Sequence, residues 1–398
     1  MRLENNKWKM LKLGDCCQFF NGKAHEKQID NNGNYIVVNS KFISSSGAIY
    51  KKTKEALFPL FKNDIVMVMS DVPKGKALAK CYLIEEDNKY SLNQRICAIR
   101  SDKIEAKFLY YHLNRHPYLL NFDNGENQTN LRKEDILKCP LYIPPIEEQK
   151  RIVEILDKAF EGIAQAEANT RRNLANTRQF LANVRNNILN KNSNNWHPTT
   201  LKKEINLLSG FAFKSQFYTQ SEDDISLLRG DNIMQGYLRW DNTQKWKKSE
   251  FDTFSKFKLK ENDLVLAMDR PWVSAGLKYA EITSNDLPCL LVQRVARLRC
   301  CENLNNRFLF HLIGDRKFIK HILGKQTGIG VPHISGKQIE SFEFLKPPLE
   351  KQKNIASLLD RIYSKTQKLE TIYQSKLEAI AELKQSILEK AFTGQLSQ

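Results

Sequence analysis

The sequence predicts an α+β protein of two tandem globular domains, each followed by a long helix, the two helices pairing as an antiparallel coiled coil in an internal pseudo-two-fold repeat. Three observations predict it. Landmark residues recur in one order at offsets of roughly 200. Short β-rich runs precede each helix, and two proline-free stretches of about 45 residues keep an apolar heptad.

The repeat is read from landmarks that recur in one order. Trp8, Leu13 and Gly22 return as Trp196, Leu201 and Gly210, an offset of 188. Asn63-Asp64, Gln94-Arg95 and His112-Leu113 return as Asn262-Asp263, Gln293-Arg294 and His311-Leu312, an offset of 199. Gln128-Thr129 matches Gln326-Thr327 at 198, and Pro144-Pro145-Ile146-Glu147 matches Pro347-Pro348-Leu349-Glu350 at 203.

The first domain is expected over residues 1–143. Strand-like runs at 35–39, 65–69 and 96–100 are rich in Ile, Val and Tyr and separated by Gly, Pro, Asn and Ser. A helix is expected over 108–115. The runs leave the strand order open.

The central helix is expected over 144–192. Its Pro-Pro pair needs no amide partner in a first turn, and Glu147 and Glu148 suit the positive end of the helix dipole. Heptad steps give the seam Ile152, Leu156, Ile163, Phe180 and Val184, with Ala and Thr between. The second domain, 193–346, repeats the first with runs at 264–268 and 295–298 and a helix at 308–313. Eleven extra residues between Gly210 and Asp263 suggest an added hairpin containing Trp240 and Trp246. The last helix, 347–398, has the stronger seam: Ile355, Leu359, Ile362, Leu369, Ile380, Leu383 and Ile387, with Gly394 as its stop. Asn173 and Lys376 interrupt the two seams at the same repeat position. Each is either a register-fixing polar residue or a solvated turn covered by Leu174 or Leu377. At ~1.5 Å per residue each helix would span roughly 65 Å, and antiparallel pairing would place the globules at opposite ends of a rod.

Composition narrows the function. The chain has 398 residues and a net charge of +17, carried evenly: 31 Lys and Arg against 22 Asp and Glu before residue 196, and 31 against 23 after it. A basic balance in both halves points to a polyanionic partner. No apolar run of about 18 residues predicts a spanning helix, and the first twelve residues lack the apolar core of a signal peptide. The eight cysteines form no C-x-x-C pair, so neither a zinc site nor a disulfide framework is expected, and a cytoplasmic location is.

No catalytic or metal constellation is expected. The sequence has no phosphate-binding G-x-x-x-x-G-K-[ST], no G-x-G-x-x-G after a strand, no H-E-x-x-H and no Asn- or Asp-Pro-Pro-Tyr. The glycine cluster at 324–330 is expected to be a loop, and His112 and His311 to be packed rather than ligating. Basic residues interleaved with amides suit DNA instead, since Lys and Arg neutralise phosphates while Asn, Gln and Arg read base edges. The candidates are Lys74, Lys76, Gln128, Asn130, Arg132 and Lys133 in the first domain. In the second they are Lys245, Lys247, Lys248, Lys325, Gln326, Thr327, His333 and Lys337. Trp240 and Trp246 are expected in a hairpin core. The duplicated Gln94-Arg95 and Gln293-Arg294 are expected to do a structural job, because base readers for different targets should differ.

The pattern resembles the specificity subunits of type I restriction-modification systems. The resemblance rests on Pro144-Pro145-Ile146-Glu147-Glu148-Gln149-Lys150, Pro347-Pro348-Leu349-Glu350-Lys351-Gln352-Lys353 and the closing Lys390-Ala391-Phe392-Thr393-Gly394-Gln395-Leu396, and spans nearly the whole chain. It implies two target-recognition domains reading halves of an asymmetric bipartite site in double-stranded DNA. The helices would act as spacer and as dock for two modification subunits, which methylate adenine. S-adenosylmethionine, ATP and Mg would reside on the modification and restriction subunits, and no cofactor on this chain. The alternatives are a DNA methyltransferase or nuclease with catalysis in this chain, or a coiled-coil scaffold that binds no DNA.

Overall fold

Alternation along the central strands builds the core. In the run Ile65–Val68 every residue is buried. Ile65 and Met67 join one apolar cluster, while Val66 and Val68 join another. Strand side chains point to opposite faces, so an uninterrupted apolar run marks a strand covered on both sides. The computed structural model describes residues 8–73, 75–190, 195–241, 243–273, 276–324 and 333–396.

The chain divides into two compact units. One comprises Met1–Thr170 with Lys376–Gln398, the other Arg171–Ser375. In the first, an antiparallel sheet runs in the order Gln18–Asn21, Ile96–Arg100, Ile65–Val68, Cys81–Leu83. A second sheet has Tyr35–Val38 between Lys51–Thr53, antiparallel, and Tyr90–Leu92, parallel. The strand Lys9–Lys12 pairs with Pro140–Ile143, which leads into the first long helix. The second unit has the same plan. Its sheets run Ile205–Ser209, Val295–Cys300, Leu264–Ala267, Tyr279–Glu281 and Lys245–Trp246, Ile225–Leu228, Cys289–Leu291. The strand His197–Thr200 pairs with Glu343–Lys346. The strand order that the sequence left open is therefore the same in both units.

The recurring landmarks hold this scaffold. A side chain on Gly22 or Gly210 would strike a backbone carbonyl, that of Asn93 at 2.1 Å or Val292 at 2.2 Å. Asn63 and Asn262 have φ of 72° and 68°, a left-handed turn that Asn tolerates. The following Asp64 and Asp263, both buried, each take a bidentate guanidinium, from Arg100 and Arg299 at 2.6–2.9 Å. The carbonyls of Arg95 and Arg294 accept from the amides of Met69 and Met268, so this pair has a backbone role in both units.

The long helices run Ile146–Leu189 and Leu349–Phe392. The Gln of each helix-start motif is a buried clip. Gln149 Oε1 accepts from the Glu105 amide at 2.9 Å while its Nε2 donates to Pro144 O at 2.8 Å. Gln352 does the same with Asn305 and Pro347, both at 2.8 Å. Gly394, at φ 78°, ends the second helix, with the Gln395 amide donating to Lys390 O.

Within each unit the two helices pair antiparallel. In the first, Arg151 Nη2 reaches Leu396 O at 3.0 Å and Lys384 lies over the Phe160 ring at 5.3 Å. In the second, Arg178 Nε meets Glu370 Oε2 at 2.9 Å. Of the expected seam, Ile152, Leu156, Ile163, Ile355, Leu359 and Ile380 are buried, and Val184, Ile362 and Ile387 are half-buried. Phe180, Leu369 and Leu383 stay exposed, at 55%, 40% and 50%, which corrects the seam at three places. At 3.6 residues per turn a 3.5-residue stripe drifts round the helix, and Leu181 replaces Phe180 inside. Asn173 and Lys376 are exposed beside half-buried Leu174 and Leu377, the arrangement of a solvated turn.

A further correction concerns the histidines. The helices Ala106–Leu113 and Asn306–Ile313 match at an offset of 200, because Glu105 and Asn305 both cap the amide three residues on. His112 therefore corresponds to Leu312, and His311 to Tyr111. The shared His-Leu dipeptide was a coincidence one residue out of register. Among the described residues no helix is long and apolar enough to cross a membrane. All eight cysteines are free.

Candidate nucleic-acid interface

In the first unit, two short strands bring separate candidate segments together. Thr129–Asn130 pairs with Ser70–Asp71, Asn130 opposite Ser70. The Asp71 carboxylate accepts from the amides of Val72, Ala77 and Leu78 at 2.6–3.2 Å, which curls the following loop back on itself. Exposed Lys76 stands on that loop, and exposed Gln128 and Asn130 lie on or beside the paired strand. Arg132 and Lys133 follow at the start of the helix Lys133–Leu137, both exposed. Lys133 Nζ also sits over the Phe19 ring at 5.7 Å. Lys74 lies outside the described residues. The sequence reading missed Arg115, whose Nη1 donates to Lys76 O at 2.5 Å and adds a cation to the same edge.

The second unit repeats the edge with other residues. Asp269 bridges His333 as Ser70 pairs with Asn130, and the Ile334 amide donates to Met268 O as that of Leu131 does to Met69 O. His333 therefore stands where the first unit has Asn130. Its Nδ1 bonds the Asp269 carboxylate, which Arg294 also meets at 2.6 Å. Lys337 is exposed on the helix Gly336–Glu340. Lys325, Gln326 and Thr327 lie outside the described residues, as does most of the glycine cluster.

Lys245, Lys247 and Lys248 belong to a different place, the edge of the three-stranded sheet. Lys245 is half-buried and its ammonium donates to Glu222 O at 2.9 Å, while Lys247 and Lys248 are exposed. Trp246 is buried against Phe213 and Phe254, and Trp240 Nε1 donates to Asp286 at 2.8 Å. The two tryptophans thus pack in the body of the domain, Trp246 in one apolar cluster and Trp240 against another, rather than in one added hairpin. A ribbon of Trp272–Val273 against Gly276–Leu277 also escaped the sequence reading, because two-residue strands show no periodicity. Trp272 is 44% exposed there.

The histidine chemistry is that of packing. Burial pushes His112 down to about 3, and its ring stacks on Phe392 at 4.3 Å. Burial likewise lowers His116 to about 4. His311 falls to about 4 through burial, although its Nε2 bonds Asp360 at 2.7 Å. Asp360 is held down to about 2: its bonds from His311 and Arg307 outweigh the upward effect of burial. In the first unit Asp157 plays the same part, taking Lys107 and the Tyr111 hydroxyl at 2.6 Å each. Each globule is thereby clasped to its long helix. Among the described residues no group of three or more His, Cys, Asp or Glu side chains is placed to hold a metal.

The family model for the type I restriction modification DNA specificity domain matches residues 5–176 and 185–379. The type I restriction enzyme EcoAI specificity subunit of Escherichia coli is 35% identical over 197 residues, 49% of this chain and 33% of that one, so the match spans a third of the relative's length. The type I restriction enzyme MjaVIII specificity subunit of Methanocaldococcus jannaschii is 23% identical over 407 residues, 98% of this chain and 93% of the relative. Both relatives are named for specificity, the role expected here, rather than for catalysis. In fold, a chain from a structure described as "Structural basis underlying complex assembly and conformational transition of the type I R-M system" superposes with a TM-score of 0.75 at 17% identity, over 98% of each chain.

Proposed function

The chain belongs to the type I restriction-modification DNA specificity family, whose role is recognition of DNA sequence, and from that premise we propose that it reads an asymmetric bipartite site in double-stranded DNA. Residues 1–143 and 193–346 are the two readers in this proposal, and the helical segments 144–192 and 347–398 set the distance between half-sites. One observation carries the reading. Two units of one scaffold present different residues at the equivalent edge: Asn130 against His333, Arg132 against Ser335, Lys133 against Gly336. A shared frame with unlike contact residues is what two different half-sites require.

Half-sites about one helical turn apart (~34–36 Å) would present the same face of the duplex. Tethering two short-sequence readers raises the effective concentration of the second once the first has bound. In this reading two modification subunits, holding S-adenosylmethionine, methylate adenine at the site this chain selects. Restriction subunits using ATP and Mg act from the same complex, in the cytoplasm. A target adenine must leave the stack, at about a few kcal/mol, and clamping the DNA between subunits offsets that.

The test is methyl transfer to DNA by the purified chain, by its modification subunits, and by the two together. Activity only in the mixture is expected. Methylation by this chain alone would overturn the division of labour.

A further inference from the structure

Arg185 of the second unit is a buried cation with no ion-pair partner among the described residues. The side chain is 6% exposed, its Nη1 donates to Gly314 O at 2.7 Å, and its Nε has no acceptor. No carboxylate forms an ion pair with it among the described residues. Glu370 is taken by Arg178, and Asp360 by Arg307 and His311. Asp315, the residue after Gly314, is buried and turns its Oδ1 to the Lys317 amide and to Asn190; its Oδ2 has no partner and forms no ion pair with Arg185. A guanidinium withdrawn from water with one carbonyl as partner and no carboxylate in ion-pair reach keeps its charge uncompensated, so such a group marks a place that suits an anion.

The surroundings are shaped for one. Arg185 lines a cleft of about 240 Å³ together with Arg178, Gln235, Trp272, Gly314 and Glu370. Gly314 makes room for the guanidinium itself: a side chain there would lie 2.3 Å from Arg185 Nη1 and 2.2 Å from the Tyr279 hydroxyl. The matching pocket of the first unit has no buried arginine: its Arg115 is half-buried and donates to Lys76 O. At the matching positions stand Asn114 and Leu388, which line a pocket beside Phe392. The cation and the glycine that accommodates it occur together in one unit only, which separates this cleft from the scaffold common to both.

We propose that this cleft is a phosphate-binding site, with Arg185 as the fork that grips the anion. Arginine matches phosphate oxygens bidentately, and the Gln235 side chain on the same wall carries further donors. With Arg178 held by Glu370, Arg185 is the uncompensated charge of the cleft, and its donors together with the Gln235 amide suit an anion with several oxygens. Whether the phosphate is a backbone phosphodiester or a free ion is a question of source. The phosphodiester source rests on the DNA-reading function proposed above; the site itself does not.

The test uses the full-length chain. Thermal unfolding is followed in low-millimolar inorganic phosphate against chloride at equal ionic strength, for the wild type, Arg185→Leu (the residue found in the first unit) and Gln235→Glu. A saturable rise in midpoint is expected for the wild type and not for Arg185→Leu. Gln235→Glu supplies a carboxylate in place, so its midpoint should be higher in chloride and insensitive to phosphate. This second variant decides the matter if Arg185→Leu fails to fold. DNA binding with the modification subunits then separates the sources. A salt slope smaller by about 0.9 in Arg185→Leu identifies a phosphodiester, and an unchanged slope with loss of the phosphate response identifies free phosphate. Phosphate stabilisation without any DNA binding by the wild type would sink the DNA-reading function and leave the site standing. Equal phosphate responses in wild type and both variants would overturn the site. So would a wild type indifferent to phosphate, including one whose binding to the modification subunits depends on Arg185.

Discussion

At the scale of single residues, the structure separates those that hold the frame from those free to meet DNA. Asp64, Asp263, Gln149 and Gln352 have their polar atoms engaged inside the fold, whereas Arg132 points outward at the edge beside Asn130. If Arg132 meets a phosphate, Arg132→Ala should weaken binding of the complete complex on all sequences alike and lower its salt slope by about one. A parental slope measured by titration would remove Arg132 from the interface. The buried histidines give a second expectation. His112, His116 and His311 all bind their protons less readily than a free imidazole, so the unfolded chain takes up more protons between about pH 6.5 and 4. Folding stability is therefore full above pH 6.5 and falls as the pH drops through that window. His112→Leu, which installs the residue found at Leu312, should make that acid loss shallower in melts at pH 7, 6 and 5. An unchanged slope would show that His112 does not contribute.

At the scale of elements, legibility followed the length of the signal. The long helices were legible from paired prolines, first-turn carboxylates and many heptads, and the central strands from unbroken runs such as Ile65–Val68. Short elements were not. The pairing of Asn130 with Ser70 covers two residues, and its counterpart at His333 is a single bridge with a different side chain, so nothing in one sequence aligns them. Coincidence misled where the signal was brief, as with His112 and His311. The seam failed at Phe180, Leu369 and Leu383, which stay exposed; at Phe180 helix geometry shifted the stripe to Leu181. The spacer role is testable at this scale. Removing one heptad shortens a helix by about 10 Å, close to three base pairs at ~3.4 Å each. The recognised sequence should lose about that much spacer and keep its half-site bases. Methylation mapping that finds the original spacing would refute the spacer role.

At the scale of the whole molecule, an even charge and a duplicated plan point the same way. The excess of 17 positive charges is divided almost equally between the halves of the sequence, as two readers of one polyanion would require. Both units use the same sheet orders, the same buried Asp–Arg pair and the same Gln clip, and differ at their exposed edges. The most direct measurement of the central claim is the adenine methylome of a host with and without this gene, its modification partners present in both. The account predicts a motif that appears only with the gene, made of two unlike half-sites separated by unspecified bases. A palindromic or continuous motif, or a methylome that does not change, would contradict it.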